Sequence, residues 1–525
     1  MNCCRNRREW LELAGMMLLA LALSLPLIYL TDLPLRDVLS RYAPMAQAFG
    51  EGRWQEVLHP RIPPLQQTAG GLLAWSTGCN GFLAVKLAST LFFVATLLPL
   101  YGIWRQIFPH RIVLFGLLLF VFCSQLLRLA SSGLRESGKG FAFALAVYGL
   151  LVIYRERRRF AGYLLLGLAA GLLMLIKEDC VLYAAVFWLA ALILLLADSG
   201  SRRSWPKAVA GLFLSLLLVL PYLVYNYRTV GYPVPGGRFA ALVMHFQKPA
   251  PSLVTGENLP SVPPPAVIPS QFAATGLEES LDFADGLLNG FFPLYAVIAL
   301  PVIVFRIRRR RWQPEETLLL AAVLGHALLL CLQILLFDRY LYVSRRYLLP
   351  VSGLFFIWTA VGLLTFAGWL RRRLTPRTAR RTIAVGYTIL LVGLYADALL
   401  PQWKQRVDPK HCLHRQAVLT LAAWIRDDYR GPQRNDCGSF DLRCYRSNRR
   451  PLVTGPALPE LGYLAGGEAV ETFSPNADYQ IDEEPADRPP AEIPGFAVVK
   501  ILPGHNGRYV LRRKAPGNGT VNDYE

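Results

Sequence analysis

Residues 161–176 read AGYLLLGLAAGLLMLI, residues 180–197 read CVLYAAVFWLAALILLLA, and only Lys177-Glu178-Asp179 separates them. Each apolar stretch is about long enough to cross the hydrocarbon core of a bilayer as a helix. Two such stretches joined by three charged residues indicate a tight turn at a membrane surface. This part of the sequence decides the fold class, because a chain built in this way spans a membrane.

More apolar stretches lie on both sides of it, in a chain of 525 residues that is 54% hydrophobic. Since lipid tolerates no unpaired backbone groups, they predict an all-α polytopic membrane bundle of about eleven transmembrane helices. The first stretch is too long for a cleaved signal peptide and lacks a small-residue cleavage site, so we interpret it as an anchor. The expected spans are 12–30, 82–103, 112–127, 139–154, 161–176, 180–197, 208–226, 286–305, 317–337, 347–369 and 382–400.

The charge of the chain is unevenly distributed. The formal net charge is +19, yet residues 402–525 hold 17 basic and 16 acidic side chains. The excess of arginine falls in alternate loops between spans, which the positive-inside rule makes cytoplasmic. Eleven spans then place the N-terminus in the cytoplasm and the C-terminal region outside, at the plasma (inner) membrane. A basic chain can also bind nucleic acid, but arginines at span ends favour topology, and we expect no nucleic-acid partner.

The chain divides into a membrane part and a soluble part. Short strand patterns with turn signals, and a helical pattern over 414–429, predict a small α/β domain on the outer side. The long loop before the eighth span is either a functional lid or disordered. The predicted parts are a membrane domain over 1–401 with outer loops 31–81 and 229–285, an outer domain over 402–514, and a disordered tail over 515–525.

Nine cysteines are present, and no Cys/His spacing is typical of a zinc site. Four of them lie in or beside spans, where a thiol packs as a small apolar group. In the outer domain, an oxidising compartment would allow one disulfide, for which Cys437 with Cys444 is our hypothesis.

One acid near the end of the first span is a candidate catalytic group. Asp37 is surrounded in sequence by cationic side chains, and a carboxylate held among cations stays ionised, as a general base must. Asp37 could equally be a solvated loop acid or the N-cap of an amphipathic helix over 37–49 that lies at the membrane interface. The neighbouring cations are Arg36, Arg41, Arg53, His59 and Arg61.

Three further charged groups fall on the same predicted face. Arg135, Glu136 and Lys139 stand at the mouth of a span, as a snorkelling cluster or as part of a site. The Lys177-Glu178-Asp179 turn is either a plain ion pair or a phosphate-facing lysine with an orienting acid. The Arg345-Arg346 pair is either an interfacial anchor or a phosphate ligand, which a guanidinium binds through its planar fork. Together these groups outline an outward-facing cationic pocket.

The motifs follow one another in a fixed order: Asp37 with Tyr42, Gly50 and Gly52, Pro63-Pro64-Leu65, Arg135-Glu136, Lys177-Glu178-Asp179, Asn226 with Gly231 and Pro233, and Arg346-Tyr347 with Pro350. This order resembles the GT-C superfamily of membrane glycosyltransferases, such as the protein mannosyltransferases, the aminoarabinose transferases of lipid A and the lipopolysaccharide-core transferases. The resemblance spans about residues 10–400. Two positions differ from the family pattern: Val38 stands where many relatives carry an acid, and Gln66 where they often carry Tyr.

The resemblance implies transfer of a sugar from a polyprenyl-phosphate donor to an acceptor hydroxyl on a glycolipid, a cell-envelope glycan or a protein, with inversion. It implies Asp37 as general base and Glu136 as a second catalytic residue. Cations can stabilise the leaving phosphate, so no cofactor is required, although a divalent metal at Asp37 and Glu136 is also compatible. The implied donor-phosphate ligands are Lys177, Arg345 and Arg346, and the implied substrate-binding residues are Tyr42, His59, Arg61, Glu178 and Tyr347.

Three other functions stay open at this point. An O-antigen-type ligase or polymerase would also use lipid-linked donors. A lipid or polysaccharide transporter predicts internal two-fold symmetry and charges in mid-span, whereas here the charges concentrate at span ends. A non-catalytic scaffold predicts that Asp37 is dispensable.

Overall fold

The structure, a computed structural model, describes residues 2–31, 37–59, 62–177, 179–197, 204–230, 289–290, 292–337, 345–407, 416–417, 420–421, 424–425, 452–454, 468–470, 479–485, 489–493, 496–503 and 508–514. Most of the loop predicted over 229–285, the tail over 515–525 and the hypothetical Cys437–Cys444 disulfide lie outside these residues. The molecule forms two compact units. The first consists of residues 1–26, 57–68 and 86–398, and the second of residues 27–56, 69–85 and 399–525.

Helices dominate the chain, and each of the eleven predicted spans coincides with a helix or a broken helix. Within the described residues, seven helices are long and apolar enough to cross a membrane, or eight if one pair bent by 57° is a single span. The predicted fold class is therefore confirmed. The helices are α1 (Asn2–Leu30), α2 (Ala43–Gly50), α3 (Leu65–Thr77), α4 (Gly81–Ile107), α5 (His110–Val121), α6 (Ser124–Ser131), α7 (Glu136–Arg155), α8 (Phe160–Ile176), α9 (Cys180–Leu196), α10 (Trp205–Val230), α11 (Pro293–Arg308), α12 (Pro314–Phe337), α13 (Leu349–Ser352), α14 (Phe356–Arg373) and α15 (Pro376–Val407).

Helix α7 forms the centre of the first unit, since sixteen of its residues are buried. It packs on α8 through small residues: a side chain at Gly149 would meet the backbone of Leu166 and Gly162. Close backbone approach of this kind is the usual way in which helices associate in lipid, where burial of apolar surface gives no driving force.

Helices α8 and α10 touch through their backbones. A Cβ atom at Gly167 would collide with the carbonyl oxygen of Gly211. Beside this contact, the Ser215 hydroxyl donates to the Gly167 carbonyl oxygen at 2.9 Å, and the Trp188 Nε1 of α9 donates to the Ser215 hydroxyl at 3.2 Å. The position of α8 is thus fixed by contacts that leave no room for a larger residue.

Within the second unit, the chain after α1 is helical, as predicted for 37–49. A π-helical turn over Val38–Tyr42 leads directly into α2. The apolar side of this segment is buried, which explains its helical spacing of apolar residues. A side chain at Gly50 would press on Ala74 of α3, and the Gln47 side chain accepts a hydrogen bond from the Gly81 backbone N–H at 2.6 Å.

The C-terminal part of the second unit contains a five-stranded mixed sheet in the order β2-β1-β3-β5-β4. Helical residues Ala417, Leu421 and Ile425 are buried against its apolar side chains, among them Tyr479 and Leu511. The predicted small α/β domain is confirmed. The strands are β1 (Leu452–Thr454), β2 (Glu468–Val470), β3 (Tyr479–Glu484), β4 (Phe496–Pro503) and β5 (Arg508–Lys514).

Candidate active site

The charged turn between α8 and α9 forms the centre of the candidate site. Lys177 ends α8 in an extended conformation, and Asp179 precedes α9. Both helices are apolar along their length, so the charged residues of this region lie in the turn at the helix ends. The Lys177 Nζ lies 3.2 Å from the Asp179 Oδ2, and the two side chains are only 8% and 11% exposed. This ion pair is therefore almost completely withdrawn from water.

The first turn of α7 brings further charges to this ion pair. The Lys139 side chain is 0% exposed, and its Nζ lies 3.9 Å from the same Asp179 Oδ2. Arg135 and Glu136 are also buried, at 9% and 3% exposure. Charged groups at such depth are costly unless they are paired or have a function.

A short turn after α12 supplies an aromatic ring and another cation. The Lys177 Nζ lies over the Tyr347 ring, 3.9 Å from its centroid. The Arg346 guanidinium lies 5.2 Å from the same centroid, and one of its N–H groups donates to the Tyr347 hydroxyl at 3.4 Å. The electron-rich ring of Tyr347 thereby contacts two cations.

The mutual arrangement keeps both members of the central ion pair charged. Burial acts most strongly on the pKa of Lys177 and would lower it, but the Asp179 carboxylate together with Glu136 and Tyr347 offsets this and raises the pKa above its ordinary value. Burial would raise the pKa of Asp179, but Lys177, Lys139 and Arg135 hold it below its ordinary value. At neutral pH the site therefore contains an ammonium and a carboxylate.

Helix α12 contributes polar groups that sequence reasoning missed. The Gln333 side chain donates to the Asp179 carbonyl oxygen at 3.2 Å, and the His326 Nε2 lies 3.1 Å from the Tyr347 carbonyl oxygen. The His326 ring also packs against the Tyr183 ring, with 4.8 Å between centroids. Polar residues on an otherwise apolar span were the available signal, because such residues usually serve a function.

Gln66 fixes the chain that leads into α7. Its side-chain N–H groups donate to the Gly133 carbonyl oxygen and to the Ser89 hydroxyl, both at 3.1 Å. Ser89 in turn donates to the Leu134 carbonyl oxygen. Gly133 has a φ of +84°, a conformation that favours glycine. Gln66, which differs from the family pattern, thus holds the residues just before Glu136 in place.

Four of the predicted site residues come together in the first unit. Glu136, Lys177, Arg346 and Tyr347 all belong to this cluster, and the charge of Glu136 acts on Lys177. One carboxylate oxygen of Glu136 is buried and has no hydrogen-bond partner among the described residues. Such an atom is a candidate contact for a bound ligand or water.

Asp37 and Tyr42 belong to the second unit. Asp37 stands at the start of the helical segment, but its side chain makes no capping hydrogen bond, so the alternative interpretation as an N-cap finds no support. Tyr42 is 2% exposed and packs in the apolar side of that segment. A substrate contact by its ring therefore stays a prediction.

The remaining predicted residues have different outcomes. The His59 carbonyl oxygen accepts a hydrogen bond from the Tyr222 hydroxyl at 3.1 Å, which ties the loop before α3 to α10. Arg61 and Glu178 lie outside the described residues. Arg345 begins the short turn after α12, but its side chain also lies outside the described part.

Metal binding was left open by the sequence. Among the described residues, no group of three or more His, Cys, Asp or Glu side chains is arranged to hold a metal ion. The described cysteines, Cys79, Cys123, Cys180 and Cys331, are unpaired.

Comparison with known proteins shows which families and folds this chain is similar to. The family described as dolichyl-phosphate-mannose-protein mannosyltransferase matches residues 73–225, which include the Arg135-Glu136 pair and the Lys177–Asp179 turn. No curated protein matches the chain by sequence. This match and the structural similarities below confirm the resemblance to the GT-C membrane glycosyltransferases that was inferred from the sequence motifs.

The fold is similar to the crystal structure of ArnT from Cupriavidus metallidurans bound to undecaprenyl phosphate. The TM-score is 0.57 and the identity 15%, over 96% of this chain and 98% of that one. For ArnT in the apo state the values are 0.55 and 14%, over 95% and 98%. The apo oligosaccharyltransferase of Archaeoglobus fulgidus gives 0.44 and 14%, over 89% and 69%.

Proposed function

We propose that the protein is a membrane glycosyltransferase that moves a sugar from a polyprenyl-phosphate donor to an acceptor hydroxyl with inversion. The observation that supports this most is the buried cationic cluster around the Lys177–Asp179 turn. The similar fold of ArnT, which was crystallised with undecaprenyl phosphate, agrees with a donor of this class. The acceptor is a glycolipid, a cell-envelope glycan or a protein.

The charge balance of the cluster suits a phosphate. Its described side chains include two acids, Glu136 and Asp179, and four cations. During transfer, the bond between the anomeric carbon and the phosphate oxygen breaks, and the lipid phosphate gains negative charge. Preorganised cations stabilise that charge most effectively in a site that excludes water. In this proposal the phosphate ligands are Lys177, Arg345 and Arg346, and the other cations of the cluster are Arg135 and Lys139.

The acceptor side of the reaction rests on the sequence pattern. Asp37 takes the proton of the acceptor hydroxyl as this oxygen bonds to the anomeric carbon from the side opposite the phosphate. Phosphate leaves as an anion without needing a proton, so a general acid is not essential, and Glu136 instead orients the substrate. The proposed substrate contacts are Tyr42, His59, Arg61, Glu178 and Tyr347.

The proposed orientation follows from the arginine-rich loops. The N-terminus lies in the cytoplasm, the reaction takes place at the outer face of the inner membrane, and the domain over 402–514 is extracytoplasmic. The membrane domain over 1–401 then carries the catalytic residues.

Transfer with purified protein tests this function. The full chain in detergent is given a panel of polyprenyl-phosphate sugars and candidate acceptors, and sugar transfer is followed by mass spectrometry. We expect transfer from one member of the panel, and loss of transfer in Asp37→Asn with binding of the lipid phosphate retained. Full activity of Asp37→Asn would refute its role as general base. Movement of the intact lipid-linked sugar across a vesicle membrane without sugar transfer would refute the proposed glycosyltransferase activity and indicate a transporter.

A further inference from the structure

Lys139 is the most deeply buried charge of the cluster. Its side chain is 0% exposed, and its ammonium has no hydrogen-bond partner among the described residues. The nearest groups are the Asp179 carboxylate at 3.9 Å and the Tyr183 ring at 4.9 Å. A buried ammonium that lacks hydrogen bonds destabilises the fold, so its presence suggests a role beyond packing.

Asp179 lies between two lysines at unequal distances. Its Oδ2 is 3.2 Å from the Lys177 Nζ and 3.9 Å from the Lys139 Nζ. The backbone of Asp179 is held separately, because its carbonyl oxygen accepts a hydrogen bond from Gln333 at 3.2 Å. The carboxylate can therefore shift towards either lysine by a small side-chain rotation while the turn itself stays in place.

A phosphate at Lys177 competes with Asp179 for the same ammonium. If Lys177 turns towards the phosphate, Asp179 loses its closer partner in a site with little water. A buried carboxylate without a partner is strongly disfavoured. A second cation within reach of the same carboxylate oxygen removes this obstacle.

We propose that Lys139 is a positioning residue that takes over the Asp179 carboxylate when Lys177 binds the donor phosphate. In the free protein, Lys177 is held by Asp179 and by the Tyr347 ring. In the bound state, Asp179 pairs with Lys139, and Lys177 is released to the phosphate. Lys139 touches neither the sugar nor the reacting atoms. The inference rests on the proposed function only in placing a lipid phosphate at Lys177.

A set of variants tests this exchange by measuring the affinity for undecaprenyl phosphate. Purified full-length protein is titrated with this lipid and the bound fraction is read by native mass spectrometry. We expect Lys139→Met to bind about tenfold more weakly, because Lys177 stays with Asp179. Asp179→Asn in the same chain should restore most of that affinity, since Lys177 then has no competing carboxylate. Lys139→Arg should bind nearly as well as the natural chain.

The rescue distinguishes positioning from general structural damage. If Lys139 only stabilises the fold, adding Asp179→Asn cannot restore binding, and that result would overturn the proposal. Arg128→Met is the matched control for loss of one positive charge, since Arg128 pairs with Asp397 at 3.6 Å and should not affect binding. If Lys139→Met does not fold, Lys139→Gln is subjected to the same comparison.

The test also separates this inference from the proposed function. Weaker binding in Lys177→Met together with unchanged binding in Lys139→Met would reject the role of Lys139 and leave the phosphate site intact. Unchanged binding in Lys177→Met would reject the phosphate site itself, and with it the exchange.

Discussion

Helix α12 carries a buried charge network near its start and lines a different one near its end. Near its start, Glu316 is 0% exposed and accepts hydrogen bonds from Arg306 at 2.9 Å, from the Trp358 Nε1 at 3.0 Å and from the Gln313 backbone at 3.1 Å. Near its end, Lys139 and one oxygen of Glu136 have no hydrogen-bond partner among the described residues. Both networks bury charge, but only the first satisfies it.

The difference separates a structural ion pair from a site prepared for a ligand. Around Glu316, each carboxylate oxygen already has its partners, and the Trp312 ring stacks on Trp358 at 5.8 Å to cover the network. Around Asp179, the cations outnumber the acids and several buried polar atoms have no partner in the described part of the chain. Fully satisfied networks stabilise a fold, whereas incompletely satisfied ones indicate a place for ligand or water.

The largest expected effect is on catalysis at the second network. Lys177→Met should lower the transfer rate by about 10³-fold, because it removes a preorganised cation from the developing phosphate charge. Stability should hardly change or should rise, since Asp179 keeps Lys139 as a partner. Turnover and thermal unfolding of the same preparation give both values. A large loss of stability with a proportionate loss of activity would show that this network, like the one around Glu316, has only a structural role.

The next largest effect is on stability at the first network. Glu316→Ala leaves Arg306 without its carboxylate and should destabilise the folded state by about 3 kcal/mol. The unfolding temperature in detergent checks this, with Glu315→Ala as the matched control. Glu315 is the preceding residue and pairs with the more exposed Arg155 at 2.9 Å. An equal effect of both substitutions would show that burial of the pair does not matter.

A smaller effect is expected where the backbone supports the site. Gln66→Ala removes two hydrogen bonds at 3.1 Å that hold the chain before Glu136, and should lower the transfer rate about tenfold. Gln67→Ala is the control, because this neighbouring buried side chain makes only long contacts of 3.4 and 3.5 Å. Similar rates in the two variants would remove Gln66 from the support of the site.

The smallest effect concerns pH. The pKa of Lys177 is raised in the folded protein. The stability that its ammonium contributes is therefore present at low pH and is lost only as the pH rises above 10.5, the ordinary lysine pKa. The pKa of Asp179 is lowered, so its contribution is lost only as pH falls below 3.8. Between about pH 5 and pH 9, affinity for undecaprenyl phosphate should show no titration from this pair. In Asp179→Asn, binding should weaken at a lower alkaline pH, because the carboxylate that raises the Lys177 pKa is gone.

Much of the fold was predictable because its signals are local. Each predicted apolar stretch coincides with a helix or a broken helix, although only seven or eight of the described helices are long and apolar enough to cross a membrane. The Lys177–Asp179 turn is evident from three consecutive charged residues between two apolar stretches. Glu136, Arg346 and Tyr347 were also predicted for the site, from motif order and from their position at span ends.

The rest of the site depends on contacts between distant segments. The sequence places Lys139 in a cluster at the mouth of a span, yet its partner Asp179 lies forty residues further along the chain. Gln66 is visible in the sequence only as a departure from the family pattern, because its hydrogen bond reaches Gly133, 67 residues away. Hydropathy shows that a helix crosses the membrane, but the face that it turns to its neighbours is decided by packing.

The contact between Gly167 and Gly211 has a consequence for how this protein can change during evolution. Gly167 lies ten residues before Lys177 on a rigid helix, a distance of about 15 Å. Any side chain at either glycine would push α8 away from α10 and would tilt α8, which displaces the end of the helix that carries Lys177. Substitutions far from the site would therefore displace Lys177. Its position depends on the retention of two glycines that are buried in the helix bundle.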